Sequence, residues 1–427
     1  MKLLCLSNGH GEDAIALRIL RALRHRADLE GRVADIVALP LVGEGHAYAQ
    51  SGIPVIGPVK QLPSGGFVYM DGRQFAKDLR GGLMQLTFSQ LRVVREWAKQ
   101  GDLILAVGDL VPLLFAWWSG APYAFVGTAK SEYYLRDEAG LLPRTSWFER
   151  LESWSGSVYL PWERWLMGRP RCRAVFPRDS LTSEVLSRWK LPVQDLGNPM
   201  MDDLEPMGID FAIPDEALAV TLLPGSRVPE AYRNWETLLD AAQSLVARLD
   251  RQVTFLAAIA PYLDLAILHK ALQARGWQLT NPAPVPPLAY RQDKATLLLT
   301  TAFNGCVNRG DVAIAMAGTA TEQVVGLGKP ALIFPGSGPQ FTPAFAEAQT
   351  RLLGPSVILV EQPDRAADVV RSLLKDPDYL QIIAENGRRR MGLPGASDRI
   401  AACLLGQGLG VRGQGLGVRE GGDAQRW

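Results

Sequence analysis

The sequence predicts an α/β protein of two doubly wound domains, each a parallel sheet with helices on both faces. Three observations carry this expectation. Apolar runs of strand length alternate with helix-period segments along most of the chain. The proline-bearing stretch LGNPMMDDLEPMGIDFAIP, residues 196–214, interrupts the alternation and reads as a linker. A new strand-turn-helix, ALAVTLLPGSRVPEAYRNW, then restarts it.

The elements follow in order. Early strands are expected at Leu3–Leu6, Val33–Val37, Leu103–Val107 and Tyr123–Val126, with helices over Glu12–Arg24 and Leu83–Lys99. Later strands are expected at Leu218–Leu223, Val253–Ala257, Ala313–Met316, Ala331–Phe334 and Val357–Val360. Helices near Glu230–Val246, Thr319–Leu327 and Phe341–Leu352 separate them. The chain thus divides into residues 1–205, residues 206–385, a C-terminal helix at 386–405 and a tail at 406–427. The last helices, near Tyr379–Glu385 and Ser397–Leu405, are expected to pack back on the first domain. In the tail GQGLGVR occurs twice in succession, and so Gly-rich a segment cannot bury a core; it is expected to be disordered.

Bulk properties exclude several classes. The 427 residues suit two or three domains at about 150 residues each. Hydrophobic residues make up 47% and charged residues 21%, a globular composition. A net charge of +1 provides no broad basic field, so nucleic acid is not an expected partner. The four cysteines, Cys5, Cys172, Cys306 and Cys403, form no CxxC pair, which argues against a zinc or disulfide framework and for a reducing cytoplasm. No apolar run reaches the roughly 18 residues of a membrane span, and the N-terminus reads as a strand rather than a signal peptide. The expected location is cytoplasmic, free or peripheral on the inner or plasma membrane.

Three turns in the second domain carry chemistry. In Leu222-Leu223-Pro224-Gly225-Ser226-Arg227, Gly225 permits a tight turn. Ser226 can cap the next helix or donate to a phosphate, and Arg227 offers a planar fork for a diphosphate. In Ala317-Gly318-Thr319-Ala320-Thr321-Glu322, small residues at Gly318, Thr319 and Ala320 let a phosphate approach helix N–H groups. Glu322, one turn in, can accept ribose hydroxyls or merely complement the helix dipole. In Pro335-Gly336-Ser337-Gly338-Pro339-Gln340, the amide of Gln340 can read sugar hydroxyls. All three turns follow parallel strands, and ligands bind at that edge of open α/β sheets.

These segments resemble the donor half of GT-B glycosyltransferases, with two Rossmann-like domains facing across a cleft, and more narrowly lipid-A-disaccharide synthase. That family has an LLPGSR-type turn, an SGTA-x-x-E segment and a GH-x-x-x-D element between its domains. The last reads Gly197-Asn198-Pro199-Met200-Met201-Asp202 in this chain. The whole chain is most similar to the lipid-A-disaccharide-synthase-related proteins of cyanobacteria. The resemblance implies a UDP-sugar co-substrate bound by the second domain and a lipid acceptor bound by the first. It places Ser226 and Arg227 on the diphosphate, Gly318, Thr319 and Ala320 as backbone donors, Glu322 on the ribose and Gln340 on the donor sugar.

The first domain would then supply the acceptor site and the base. The turn Asn8-Gly9-His10-Gly11-Glu12-Asp13 resembles the family's Gly-Glu-x-Ser-Gly-Asp but departs from it, with Asp13 at the terminal Asp. Asn8, Gly9, Gly11 and Glu12 are expected to face the acceptor, Gly9 and Gly11 by letting the backbone approach closely. Val107-Gly108-Asp109-Leu110-Val111-Pro112 is similar to a Gly-Ile-Asp-x-Pro stretch whose Asp is implicated in catalysis. In an inverting transfer a base takes the acceptor hydroxyl proton as oxygen attacks the sugar. His10 or Asp109 can do this, and Asp109 can equally be a helix N-cap. No metal is expected. The DxD at Asp376-Pro377-Asp378 reads as a helix boundary, and Arg227 with a helix N-terminus can neutralise the leaving UDP.

Eight of the eleven tryptophans lie between Trp97 and Trp189. The stretch SWFERLESWSGSVYLPWERWLMGRPRCR interleaves them with arginine, a composition suited to a membrane interface. Core aromatics with solvated charges are the plainer alternative. Residues 62–83 form a second candidate membrane lip. Two other functions fit the same scaffold. One is a sugar-nucleotide epimerase, whose ribose segment usually carries paired acids, whereas Gln323 follows Glu322 here. The other is a non-catalytic nucleotide-sugar or lipid-binding protein.

Overall fold

The computed structural model describes residues 1–60, 83–143, 147–281, 287–338 and 341–408. The first sheet starts with β1 (Lys2–Ser7), whose LLCL core has no exposed surface because both faces are covered. Helix α1 (His10–Leu29), β2 (Asp35–Pro40) and α2 (His46–Gln50) follow. Then come α3 (Leu83–Trp97), β3 (Leu103–Gly108), α4 (Leu110–Ser119) and β4 (Tyr123–Gly127). The half ends with α5 (Trp147–Ser155), α6 (Pro161–Met167), β5 (Cys172–Phe176) and α7 (Ser180–Leu186). The strand order is β2-β1-β3-β4-β5, all parallel. Winding reverses between β1 and β3, so the turns after them flank a crevice.

The second half opens with β6 (Leu218–Leu223), α8 (Glu230–Arg248), β7 (Val253–Ala258) and α9 (Leu265–Ala274). Strands β8 (Gln278–Asn281), β9 (Leu288–Gln292) and β10 (Ala295–Thr300) come next. Helix α10 (Phe303–Arg309), β11 (Val312–Ala315), α11 (Thr319–Gly326) and β12 (Ala331–Ile333) follow. Helix α12 (Pro343–Leu353), β13 (Val357–Leu359), α13 (Ala366–Leu374) and α14 (Pro377–Met391) complete it. The sheet order is β8-β9-β10-β7-β6-β11-β12-β13. It is parallel except at β8/β9 and β9/β10. That antiparallel edge was not expected. A two-residue turn, Asp293-Lys294 with Asp293 at φ 50°, joins β9 to β10, and a link so short permits only antiparallel pairing.

Only one of the two terminal helices returns to the first sheet. Helix α15 (Ala396–Gly408) packs on α1 and buries Ile400, Ala401, Leu404 and Leu405. Helix α14 packs mainly on the second half and touches the first through Arg389 and Arg390, each 3.2 Å from Glu138. Asn386 Nδ2 donates to Leu353 O at 2.7 Å, and Arg390 Nη1 to Arg351 O at 2.7 Å and Leu352 O at 3.1 Å. The segment expected as one helix from 386 is therefore the end of α14 plus α15. Helix α15 also takes in residues 406–408 of the expected tail; residues 409–427 lie outside the described residues.

The interdomain stretch has a structural task. The carboxylate of Asp202 accepts from the backbone N–H groups of Gly395 (2.5 Å), Ala396 (3.2 Å) and Ser397 (2.7 Å), capping α15. Arg399 on α15 donates back to Leu196 O at 2.9 Å. Asp202→Ala is expected to cost about 0.5–2 kcal/mol, the range for loss of a helix cap. The check is a lower thermal midpoint together with faster amide exchange in α15.

Candidate active site

The turns after β6 and β11 meet where winding of the second sheet reverses. β6 and β11 are adjacent and parallel, with Leu223 opposite Ala315. After β6 the chain turns at Gly225, whose φ is +86°, and a Cβ there would lie 3.2 Å from Met316 O. Glycine is thus required by backbone conformation and by close approach together. Asn234 in α8 fastens the two turns, its Nδ2 donating to Pro224 O (3.0 Å) and Met316 O (3.1 Å). Sequence reasoning missed Asn234, because nothing in a helical spacing marks one polar residue as the tie between two distant turns.

Ser226 is exposed and Arg227 half-buried. Ser226 does not cap α8: that helix begins at Glu230, with Pro229 in the cap position. Burial pulls the Arg227 guanidinium below its ordinary pKa, while Glu12 and Glu230 favour its charged form. Helix α11 begins after Gly318 without a side-chain cap, with Thr319 exposed and Ala320 half-buried. Its first N–H groups keep their capacity to bind an anion. Gln340 lies outside the described residues. The loop before it rests on buried Glu230, which packs against Gly338 and accepts from Phe341 N at 2.7 Å.

The first-domain turns after β1 and β3 come together. Asn8 Nδ2 donates to Asp109 Oδ2 at 3.0 Å, joining the turns after β1 and β3. Asp109 Oδ1 accepts from Val111 N at 2.8 Å, so Asp109 is the N-cap of α4. Burial raises the Asp109 pKa, opposed by these hydrogen bonds. Gly9 is the N-cap of α1 and His10 its first residue, while the His10 side chain lies outside the described residues. Asp13, expected among the catalytic groups, is buried and accepts from Ser7 Oγ at 2.5 Å, with Tyr48 donating to the same hydroxyl at 2.7 Å. It braces the turn from beneath. Burial pushes its pKa up to about 6. The half-buried Glu12 is pushed up to about 7, first by burial and then by Asp109 and Asp13, against the pull of Arg227.

The two sides face each other. A Cβ on Gly11 would lie 4.0 Å from Thr319 Oγ1, so the first turns of α1 and α11 approach across the cleft. Deeper in, Arg178 after β5 donates to Thr128 O at 3.0 Å and to Glu322 Oε2 at 2.5 Å. Both side chains of this pair are buried, at 6% and 11% exposure. Glu322, expected to await a ribose, therefore already has one oxygen held by the first domain. Nothing in the sequence joins residues 178 and 322. Among the described residues no group of three or more His, Cys, Asp and Glu side chains is placed to hold a metal. Asp376 caps α14, accepting from Tyr379 N at 2.9 Å.

Several tryptophans of the Trp97–Trp189 region are at the surface, while Val158, Tyr159, Leu160, Leu166 and Met167 among them are buried. Trp154 is 79% exposed, Trp162 52%, Trp118 51% and Trp165 47%. Trp117 stacks edge-on to Trp165 (5.4 Å) and Trp118 (6.2 Å), linking α4 to α6. Arg169 lies 4.1 Å over the Trp165 ring. Residues 62–82 of the second candidate lip lie outside the described residues. No helix among the described residues is long and apolar enough to cross a membrane.

Comparison with known proteins places this geometry. No family model matches the chain. Lipid-A-disaccharide synthase of Syntrophus aciditrophicus (strain SB) is 25% identical over 244 residues, or 50% of this chain. The match spans 57% of that protein, a little over half its length. Among solved structures, Neisseria meningitidis UDP-GlcNAc 2-epimerase bound to UDP-GlcNAc superposes with a TM-score of 0.53 at 16% identity, covering 95% of this chain and 100% of that one. Acinetobacter baumannii MurG gives 0.52 at 13% identity, covering 95% and 99%. At such identities these structures speak for the fold alone, and the fold is the two-domain α/β GT-B type.

Proposed function

We propose that the protein is an inverting glycosyltransferase that moves a sugar, of GlcNAc type, from a UDP-sugar to a lipid or lipid-linked acceptor without a metal. One observation carries the reading. The anion-ready turn holding Arg227 and the open start of α11 stand opposite an acid-rich turn on the first domain. In this reading Ser226, Arg227 and the α11 N-terminus hold the diphosphate, Glu322 the ribose and Gln340 the sugar. Asn8, Gly9, Gly11 and Glu12 line the acceptor side, for which the sequence offers His10 or Asp109 as the base. The partial match to lipid-A-disaccharide synthase supports the acceptor class, and the narrower kinship with the cyanobacterial proteins belongs to the same proposal.

An epimerase is the second reading, favoured by solved UDP-GlcNAc 2-epimerases of the same fold. Gln323 weighs against it. Its Nε2 donates to Met200 O at 3.0 Å in a buried setting. A carboxylate there would set oxygen against oxygen, so the position does not suit a second acid. The test is incubation with labelled UDP-GlcNAc and a membrane lipid extract, without added metal. Label in lipid supports transfer, and conversion to UDP-ManNAc supports epimerisation. Binding without turnover, after other UDP-sugars are tried, overturns both.

The exposed tryptophans support a peripheral seat on a membrane. Helix α4 starts at the cleft with Asp109 and carries exposed Leu114 and Trp118, so the apolar surface and the acceptor side share one element. The protein is expected to co-float with vesicles rich in anionic phospholipid. Replacing Trp154 and Trp165 by serine is expected to cut the bound fraction at least about tenfold, since burying one large apolar side chain contributes about 1.5–3 kcal/mol. Unchanged flotation would remove the membrane from the proposal.

A further inference from the structure

Of the acidic groups on the first-domain side, Glu12 has the geometry of a base, and the assignment rests on the transferase reading above. Asp109 has each carboxylate oxygen engaged, one by Val111 N and the other by Asn8. Asp13 is buried against Ser7 beneath the turn. Glu12 lies between them, half-buried, on the first turn of α1. Its side chain passes over Gly108, whose φ is +133°; a Cβ there would lie 3.3 Å from Glu12 Cγ. The Gly-Asp pair after β3 therefore does two things: Gly108 makes room for Glu12, and Asp109 sets a second negative charge beside it. On the donor side the charge that Glu12 feels is Arg227, and its neighbour Gly11 approaches Thr319.

We infer that Glu12 is the general base, with Asp109 as a positioning residue that shapes the turn and holds Asn8. In the step, an acceptor alcohol gives its proton to the Glu12 carboxylate as its oxygen forms a bond to the anomeric carbon. The bond from that carbon to the β-phosphate oxygen breaks, and its electron pair leaves on UDP, facing Arg227 and the start of α11. A backbone N–H donating to the carboxylate lowers the proton affinity of Glu12, and three charged groups act on it as well. Asp109, from the β3–α4 turn, and Asp13, on the same helix, raise it; Arg227, from the β6–α8 turn, lowers it. Burial adds the largest push, toward about 7. A base so tuned is half-deprotonated near neutrality, where proton abstraction is most effective.

The experiment compares wild type with E12Q, E12D, D109N and H10A. It uses whichever UDP-sugar the wild type turns over with a membrane lipid extract, and measures UDP affinity by calorimetry. E12Q is expected to lose about 10²–10⁴-fold in turnover while UDP affinity stays within about threefold. Wild-type turnover is expected to rise with pH and level off above about 7, because the base must be unprotonated. That limb should be absent from residual E12Q activity, partly restored in E12D, kept in H10A and kept but moved to lower pH in D109N, where the charge that raises the Glu12 pKa is gone. E12Q that keeps more than a tenth of turnover, or D109N or H10A that alone loses the limb, overturns the assignment and leaves the transferase reading standing. A wild type that binds UDP but transfers no sugar overturns both.

Discussion

Glu322→Leu is expected to destabilise the protein by about 3–5 kcal/mol, the cost of stranding one partner of a buried ion pair. The guanidinium of Arg178 would keep Thr128 O and the neighbouring Asp179 charge but lose its ion-pair partner, in a site with 6% exposure. The double variant Arg178→Met/Glu322→Leu is expected to recover most of that loss, since apolar groups of similar size replace a buried pair at little cost. Denaturant midpoints of the two single variants and the double variant form the cycle that measures it. UDP affinity supplies an independent readout. If Glu322 is the ribose contact, the double variant regains stability while nucleotide binding stays weak. A double variant that regains both removes Glu322 from the nucleotide site.

Arg227→Ala is expected to lower turnover about 10²–10³-fold, as loss of one preorganised donor at a developing anion does elsewhere. Burial works against the Arg227 charge, and Glu12 and Glu230 favour it. Arg227→Lys is expected to recover a part, because an ammonium supplies the charge without the planar fork. Steady-state turnover with UDP as competitor checks both. Weaker UDP binding and a raised KM with kcat unchanged would assign Arg227 to ground-state binding only.

The sheets were legible because strands covered on both faces must be apolar runs, and LLCL, LILAV and LAVTLL are such runs. The turns after β6 and β11 were legible because a strand-to-helix turn that leaves room for a ligand needs small residues; the turn after β12 ends outside the described residues. Strand β5, CRAVF, was missed: exposed Arg173 breaks its apolar run inside a segment dominated by Trp and Arg. The β8–β10 edge was missed because its strands show partial, alternating burial, as in ATLLLT. Helix α4 was foreseen only as the helix that Asp109 might cap. The pairings that complete the site were beyond the sequence. Arg178 with Glu322, Asn234 with two turns and Asp202 with α15 each join residues far apart in the chain, and only the fold brings them together.

The capped return helix has a mechanical consequence. The chain passes between the two sheets twice, once before β6 and once between α14 and α15. Asp202 and Arg399 lash these two crossings side by side. A body tethered at a single point can swivel in any direction, whereas two crossings bound together act as the pin of a door. Relative movement of the halves is then reduced toward a single degree of freedom, one angle. Parting Arg178 from Glu322 and parting Gly11 from Thr319 then become the same motion.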